Sequence, residues 1–165
     1  MRDGKVRPLP DDGASPGTAG VLAPPPLIYA VPLGVGLLLH RWHVIRLLPA
    51  RFAAPVGIAL LLLGLVAIPA LLAFRRVKTS PEPWKPTTAM VTTGPYRLTR
   101  NPMYLGFTLL YLGTTCWVNT VWPLILLPLV LVTMHYGVIT REEAYLERLF
   151  GEEYLAYKRR VRRWL

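Results

Sequence analysis

Two groups of charged residues stand next to long apolar segments of this chain. Arg97 and Arg100 come just before Asn101-Pro102, where asparagine suits the N-cap and proline the first helical position. The N-terminus of such a helix, together with the arginines, could hold a carboxylate or phosphate; alternatively, the arginines contact lipid head groups. Glu142 and Glu143 follow an apolar run. Carboxylates beside a bilayer are costly unless compensated, so we expect them to pair with arginines or to bind a cationic ligand.

Other residues with possible chemistry give no site. His40 and His43 lie among arginines and are interpreted as interface anchors, while His135 and Cys116 are interpreted as packing residues within apolar segments. Because these side chains do not form a cluster with ligand spacing, no metal site is predicted.

The composition indicates what must position the charged groups. Of 165 residues, 53% are hydrophobic and only 17% are charged, and residues 52–74 and 101–140 contain no charged side chain. An ordinary soluble domain of this size needs more polar surface, and the single Cys116 excludes a scaffold built on disulfides. The net charge of +10 would suggest nucleic acid in a soluble protein, but here it fits basic residues that flank membrane spans. No nucleic-acid partner is predicted.

Four apolar segments can be drawn along the chain. Residues 22–39 contain four prolines, so we expect the early part of this segment not to be helical. Residues 52–74 form the clearest span. Residues 103–139 are about twice as long as one span requires, which predicts a hairpin of two short spans that turns at Asn119-Thr120. The sequence therefore predicts an all-α, polytopic integral membrane helical bundle with about four transmembrane helices.

The distribution of basic residues predicts the orientation. With four spans, 16 Lys and Arg residues fall on the side that carries both termini, and 3 fall on the other side. Both termini are therefore expected in the cytoplasm, and the expected location is the bacterial inner membrane, in contact with membrane lipids. Residues 1–21 are predicted to be a disordered tail, and residues 22–165 a single membrane domain.

The chain downstream of the last span predicts a cytoplasmic amphipathic helix from Thr140 to about Trp164. Gly151 is expected to break or bend it. Its apolar positions recur at intervals of three and four, on one face of a helix, and the expected surface for that face is anionic lipid. These positions are Leu146, Phe150, Tyr154, Tyr157, Val161 and Trp164.

Three blocks in the second half of the chain resemble the isoprenylcysteine carboxyl methyltransferase family and the related membrane phospholipid N-methyltransferases. Residues 91–97 read Val-Thr-Thr-Gly-Pro-Tyr-Arg, and residues 100–106 read Arg-Asn-Pro-Met-Tyr-Leu-Gly. The third block begins with Arg-Glu-Glu at 141–143 and continues with Phe-Gly-Glu-Glu-Tyr at 150–154 and Tyr-Lys-Arg-Arg-Val at 157–161. The resemblance covers roughly residues 85–165. The family usually has histidine where this chain has Asn101, and asparagine cannot act as a base near neutral pH.

The resemblance implies a methyltransferase that uses S-adenosyl-L-methionine, with cofactor-binding segments at 85–105 and 140–165. Its acceptor would be lipophilic: an isoprenylcysteine-like carboxylate, a lipid, a thiol or another small amphiphile. The alternative is a noncatalytic membrane scaffold or transporter subunit, which would need neither the Tyr96–Tyr104 loop nor the paired glutamates. The expected catalytic residues are Arg100, Asn101 and Glu142. The expected cofactor-binding residues are Met90, Val91, Thr92, Gly94, Tyr96, Arg97, Arg100, Asn101, Pro102, Tyr104, Leu105, Glu142, Glu143 and Tyr154.

Overall fold

The computed structural model describes residues 17–165, and over this range the secondary structure is entirely helical. Most of the predicted tail of residues 1–21 lies outside the described residues. The helices are α1 (Pro25–Trp42), α2 (Ala50–Gly64), α3 (Ala67–Arg76), α4 (Pro102–Val118), α5 (Trp122–Met134), α6 (Thr140–Phe150) and α7 (Glu152–Arg160). A 3₁₀ turn covers Gly94–Arg97, and a π-helical turn, His135–Ile139, joins α5 to α6.

Two helical stretches within the described residues are long and apolar enough to cross a membrane. They are Ala50–Arg76, which combines α2 and α3, and Trp122–Phe150, which combines α5, the π-helical turn and α6. Helices α1 and α4 have 18 and 17 residues. The all-helical fold is thus confirmed, while the count of four transmembrane helices stays a prediction.

Small residues bring α2 and α3 close to α4. A Cβ at Gly57 would lie 2.6 Å from the backbone nitrogen of Trp117, and a Cβ at Gly106 would lie 2.7 Å from the Cβ of Ala67. Such positions let helix backbones approach closely, as at helix interfaces in membranes. This packing fixes the position of α4 and therefore of the segment that precedes Pro102.

The structure corrects the expected extent of the non-helical part of the first apolar segment. Residues 22–24 are not helical, as predicted, but helix α1 already begins at Pro25 and continues through Pro32, so the non-helical part is shorter than the four prolines suggested. Pro25 and Pro26 occupy the first turn, where the missing N–H would have had no intrahelical partner.

The predicted hairpin turn between α4 and α5 is confirmed. Asn119 ends α4 in the left-handed region, with φ of 57°. Its Oδ1 accepts hydrogen bonds from the backbone N–H groups of Leu47 (3.0 Å) and Leu48 (2.8 Å), and its Nδ2 donates to the carbonyl of Leu48 at 2.9 Å. The turn is thereby tied to the loop between α1 and α2.

The C-terminal region breaks at Gly151, as predicted, but helix α7 already ends at Arg160. Gly151 has φ of 52°, a value that favours glycine. Tyr154 and Tyr157 on α7 are buried within the protein. The apolar face of this helix therefore packs against the rest of the chain at these two tyrosines, which the amphipathic pattern alone had assigned to a lipid surface.

Candidate functional site

A cavity lies where α4 begins and α6 leaves the apolar part of the bundle. It spans about 850 Å³, a volume that includes open solvent at its mouth. Its wall is formed by the end of α3, the loops around residues 80–83 and 87–91, the start of α4, and helices α6 and α7. The two segments that the sequence predicts to bind a cofactor therefore meet at one cavity.

Most of the predicted site residues line this cavity. Those on the wall are Met90, Val91, Tyr96, Arg100, Asn101, Tyr104, Glu142, Glu143 and Tyr154. Those away from the wall are Thr92, Gly94, Arg97, Pro102 and Leu105. Arg97 and Gly94 are exposed at the 3₁₀ turn, whereas Pro102 is buried at the first position of α4. The predicted anion site therefore has one of its two arginines, Arg100, at the cavity.

Arg100 is held by several partners. Its Nη2 donates to Oε1 of Glu143 at 2.9 Å, and its Nη1 donates to the carbonyls of Lys158 (3.1 Å) and Val161 (3.2 Å). Its Nε is buried and has no hydrogen-bond partner within residues 17–165. The guanidinium is thus fixed in place with one donor still to be satisfied.

Glu143 has its charge compensated by a second arginine as well. Arg163 donates from Nη2 to Oε2 of Glu143 at 2.6 Å and from Nε to Oε1 at 3.0 Å. The hydrogen bond to Glu143 raises the pKa of Arg163 further, so this guanidinium is always charged. The prediction left open whether the glutamates pair with arginines or bind a cation, and for Glu143 the structure gives two ion pairs.

Glu142 has a different environment. The hydroxyl of Tyr104 donates to its Oε1 at 2.6 Å. Glu142 forms no salt bridge with any of residues 17–165, although it lines the cavity. Two adjacent glutamates on one helix therefore differ: Glu143 forms ion pairs with two arginines, whereas Glu142 accepts a hydrogen bond from Tyr104 and forms no ion pair within residues 17–165.

Two further tyrosines, Tyr96 and Tyr157, lie on the cavity wall near these charges. The Tyr157 hydroxyl donates to the carbonyl of Tyr96 at 2.8 Å, and the ring of Tyr96 lies edge-on to Phe74, with centroids 5.6 Å apart. Burial raises the pKa of Tyr157 to about 12. Burial, and after it the negative charge of Glu142, raises the pKa of Tyr96 as well. Both phenols are therefore neutral at physiological pH and present uncharged rings and hydroxyls.

The start of α4 differs in one respect from the sequence expectation. Asn101 occupies the N-cap position, but its side chain makes no capping hydrogen bond. Its Nδ2 instead donates to the carbonyl of Arg163 at 3.0 Å, and Thr99 Oγ1 donates to the same carbonyl at 2.9 Å. The predicted capping role of Asn101 is wrong because the segment that follows α7 offers its amide group a carbonyl to bond.

Sequence reasoning missed several residues of the wall. Tyr145 accepts a hydrogen bond from the backbone N–H of Thr87 (3.1 Å), and its position three residues after Glu142 on the same helix could have indicated it. Tyr157 lies in the amphipathic pattern but had been assigned to a lipid-facing surface. Arg163, which pairs with Glu143 and does not itself line the cavity, was also missed, because no sequence signal distinguishes it from the other basic residues near it.

Comparison with known proteins adds independent information. The sequence model of the phospholipid methyltransferase family matches residues 52–153. An uncharacterized protein from Haemophilus influenzae is 40% identical over 63 residues, which cover 38% of this chain and the whole of that protein. The protein-S-isoprenylcysteine O-methyltransferase of Schizosaccharomyces pombe is 39% identical over 72 residues, which cover 44% of this chain and 30% of the yeast protein. No solved structure matches the chain.

The family match spans well over half of the chain and contains the start of α4, the hairpin and most of the C-terminal helices. Together with the two apolar helices, it supports a membrane protein. The resemblance stated from the sequence is confirmed: this chain belongs to the phospholipid methyltransferase family.

Proposed function

We propose that this protein is an integral membrane methyltransferase that binds S-adenosyl-L-methionine in the cavity and methylates a lipophilic acceptor. The observation that carries the proposal is the carboxylate of Glu142, which lines the cavity and forms no salt bridge within residues 17–165. An ionised group beside a membrane is costly unless paired. A cationic ligand in the cavity would supply the missing charge.

The groups of the cavity fit the chemical parts of S-adenosyl-L-methionine. Glu142 suits its ammonium or sulfonium, or the ribose hydroxyls. The buried Nε of Arg100 suits its carboxylate, because a charge-assisted hydrogen bond would satisfy this donor. The faces of the neutral rings of Tyr96 and Tyr104 suit a cation or the adenine, and the backbone of residues 89–91 suits the adenine edge.

In this proposal the chain contributes mainly positioning. S-adenosyl-L-methionine supplies the methyl group and a positively charged sulfur as its leaving group. Tyr104 holds the carboxylate of Glu142 through a hydrogen bond of 2.6 Å, and Glu143 holds Arg100 at 2.9 Å. Because methyl transfer is an in-line displacement, such fixed groups act by orienting the reactants, and their contribution to the rate comes from proximity and alignment.

The acceptor is proposed to be lipophilic: a lipid, an isoprenylcysteine-like carboxylate, a thiol or another small amphiphile. The cavity wall carries apolar side chains on three helices: Phe74 on α3, Met103 on α4 and Leu146 on α6. These side chains suit an apolar acceptor, whereas the charged groups face the proposed cofactor. Asn101 also lies on the wall but cannot serve as a base near neutral pH, so the proposal gives it a binding role.

The proposed orientation places both termini and the cavity in the cytoplasm of a bacterial cell, with four spans in the inner membrane. It rests on the basic residues, of which 16 fall on the terminal side and 3 on the other. Reporter fusions to the two ends test it: both reporters should show cytoplasmic activity. Opposite locations of the two ends would require an odd number of spans and would contradict this arrangement.

Binding of S-adenosylhomocysteine to the purified protein, measured by calorimetry, tests the proposed function. Glu142→Gln should weaken binding about 10- to 100-fold, the range expected for loss of a hydrogen bond to a charged group. Glu147→Gln is a matched control, because Glu147 lies on the same helix, pairs with Lys158 and does not line the cavity.

Absence of binding to the wild-type protein would refute the proposal and favour a noncatalytic scaffold. S-adenosylhomocysteine keeps the ammonium of the cofactor but has a neutral sulfur, so equal affinity of the Glu142 variant and the control would refute the pairing of Glu142 with the ammonium. Once binding is established, a screen of lipids, thiols and prenylated carboxylates with cofactor labelled in the methyl group identifies the acceptor class.

A further inference from the structure

Residues 17–23 precede α1, and Ala19 brings this segment to the cavity. Ala19 is buried and forms part of the cavity wall, and its backbone N–H donates to the carbonyl of Pro83 at 3.3 Å. Further along the segment, the backbone N–H of Leu22 donates to the carbonyl of Gly137 at 2.9 Å. The segment therefore connects the loop at Pro83, which lines the cavity, to the π-helical turn that precedes α6. It lies outside residues 52–153, the part of the chain that the family match covers.

The far attachment of this segment is the π-helical turn His135–Ile139. A π-helical turn contains one more residue than an α-helical turn. Because each residue of a helix accounts for a rotation of about 100°, the extra residue rotates the helix that follows by about that angle. The π-helical turn immediately precedes α6 and so sets the direction in which Glu142 points. A Cβ added at Gly137 would lie 3.2 Å from the Cβ of Leu22, so the segment packs tightly against this turn in addition to its hydrogen bond.

A second contact joins the segment to the residue beside Glu142. Arg141 Nη1 donates to the carbonyl of Gly20 at 2.7 Å, and Gly20 has φ of 60°, where the segment bends. Arg141 is exposed and does not line the cavity. Its contact thus ties the segment to α6 without taking part in the cavity wall.

We infer that residues 17–23 are a strap that retains the ligand in the cavity and holds Glu142 in its orientation. The inference rests on the proposed function, since the ligand in question is S-adenosyl-L-methionine. The strap is attached at Pro83 on the cavity wall, and at Gly137 and Arg141 next to Glu142 on the chain that enters α6. A ligand beneath Ala19 leaves only after the strap detaches from at least one of these residues, and a detached strap no longer supports the π-helical turn. Arg141 is accordingly a positioning residue.

Two variants with matched controls test the strap in the full-length protein. Arg141→Ala removes the hydrogen bond to the carbonyl of Gly20. Its control is Arg148→Ala, because Arg148 is an exposed arginine on the same helix whose side chain forms no hydrogen bond or ion pair with residues 17–165. Leu22→Pro removes the N–H that donates to Gly137, whereas Leu22→Ala keeps it. The side chain of Leu22 is exposed, so the control changes little else.

The main measurement is the rate at which radiolabelled S-adenosylhomocysteine dissociates from each purified protein. Arg141→Ala and Leu22→Pro should release it about 5- to 20-fold faster, as expected for loss of one hydrogen bond that opposes opening, and the controls should stay near the wild-type rate. Hydrogen exchange of ligand-free protein is the second measurement. Exchange across residues 137–143 should be faster in both strap variants than in their controls.

The outcomes separate the strap from the proposed function. If the wild-type protein binds S-adenosylhomocysteine and Arg141→Ala releases it at the wild-type rate, the strap is refuted while the function stands. If the wild-type protein does not bind, the proposed function fails together with the retention role. Hydrogen exchange then still tests whether the strap stabilises the π-helical turn. Unchanged exchange across residues 137–143 in Arg141→Ala would refute that stabilisation. Should Leu22→Pro fail to fold, the surface variant Arg141→Ala decides alone.

Discussion

Replacing Glu143 by glutamine should destabilise the fold far more than replacing its neighbour Glu142. The side chains of Glu143 and Arg100 are 9% and 10% exposed, and that of Arg163 is 31% exposed. Removing one partner of a buried ion pair costs about 3–5 kcal/mol, because the remaining charge stays buried without compensation. Glutamine would leave two guanidiniums side by side. Since Arg163 can turn partly towards water, we expect a loss near the lower end, about 3 kcal/mol.

The magnitude can be checked against an ion pair that another glutamate of α6 forms with a lysine of α7. Glu147 lies 3.2 Å from Lys158, with side chains that are 42% and 37% exposed. An exposed pair of this kind contributes about 0–1 kcal/mol, so Glu147→Gln should change the free energy of unfolding by no more than that. Glu142→Gln removes a charge that forms no salt bridge within residues 17–165, so it should leave stability unchanged or raise it.

The protein contains its own reporter of unfolding. Cys116 is the single cysteine and is buried in α4. A thiol-reactive fluorophore therefore reports its exposure as the detergent-solubilised protein is heated or titrated with denaturant. Equal losses of stability in the Glu143 and Glu147 variants would refute the assignment of Glu143 to the buried ion pairs. A large loss in Glu142→Gln would show that this carboxylate supports the fold.

The remaining predictions concern the site, the helix packing and the hairpin. Tyr104→Phe removes the hydroxyl that donates to Glu142, so calorimetry should show affinity for S-adenosylhomocysteine lowered about 5- to 10-fold at unchanged melting temperature. Gly57→Ala places a Cβ 2.6 Å from the backbone of α4 and should lower the free energy of unfolding by about 1–3 kcal/mol. Gly34→Ala has open space around its Cβ and should be neutral or stabilising in the same assay. Asn119→Ala should cost more stability than Asn119→Gly, because both lose the amide contacts but only glycine accepts the left-handed backbone freely.

Local signals in the sequence were sufficient for several elements. The start of α4 at Pro102, the turn at Asn119 and the break at Gly151 each coincide with a residue type that suits that backbone position. The four prolines of the first apolar segment indicated the non-helical residues 22–24 but not where the helix begins, because two of the prolines fall in the first turn of α1, where proline is compatible with a helix. Such a position could be recognised only by locating where the helix begins.

The partners of the charged residues could not be predicted in the same way. Arg97 and Arg100 are equivalent in the sequence, but Arg97 is exposed and Arg100 reaches the cavity. The short turn between them has no apolar periodicity that would fix which side faces inwards. Arg163 was one of several basic residues near the C-terminus, and its pairing with Glu143 follows from the return of the chain past the start of α4, which no local pattern encodes.

Glu142 and Glu143 also have partners that the local sequence could not predict, and these partners bear on function. Successive residues on a helix point about 100° apart, so Glu142 and Glu143 face different surroundings, and the direction of each depends on the π-helical turn before them. The structure turns Glu143 towards two arginines and Glu142 towards Tyr104 and the cavity. A purely structural protein would gain by replacing Glu142 with a neutral residue, since its charge is uncompensated within the described part of the chain. We therefore interpret the cost of this carboxylate as the requirement of a site that binds a cation.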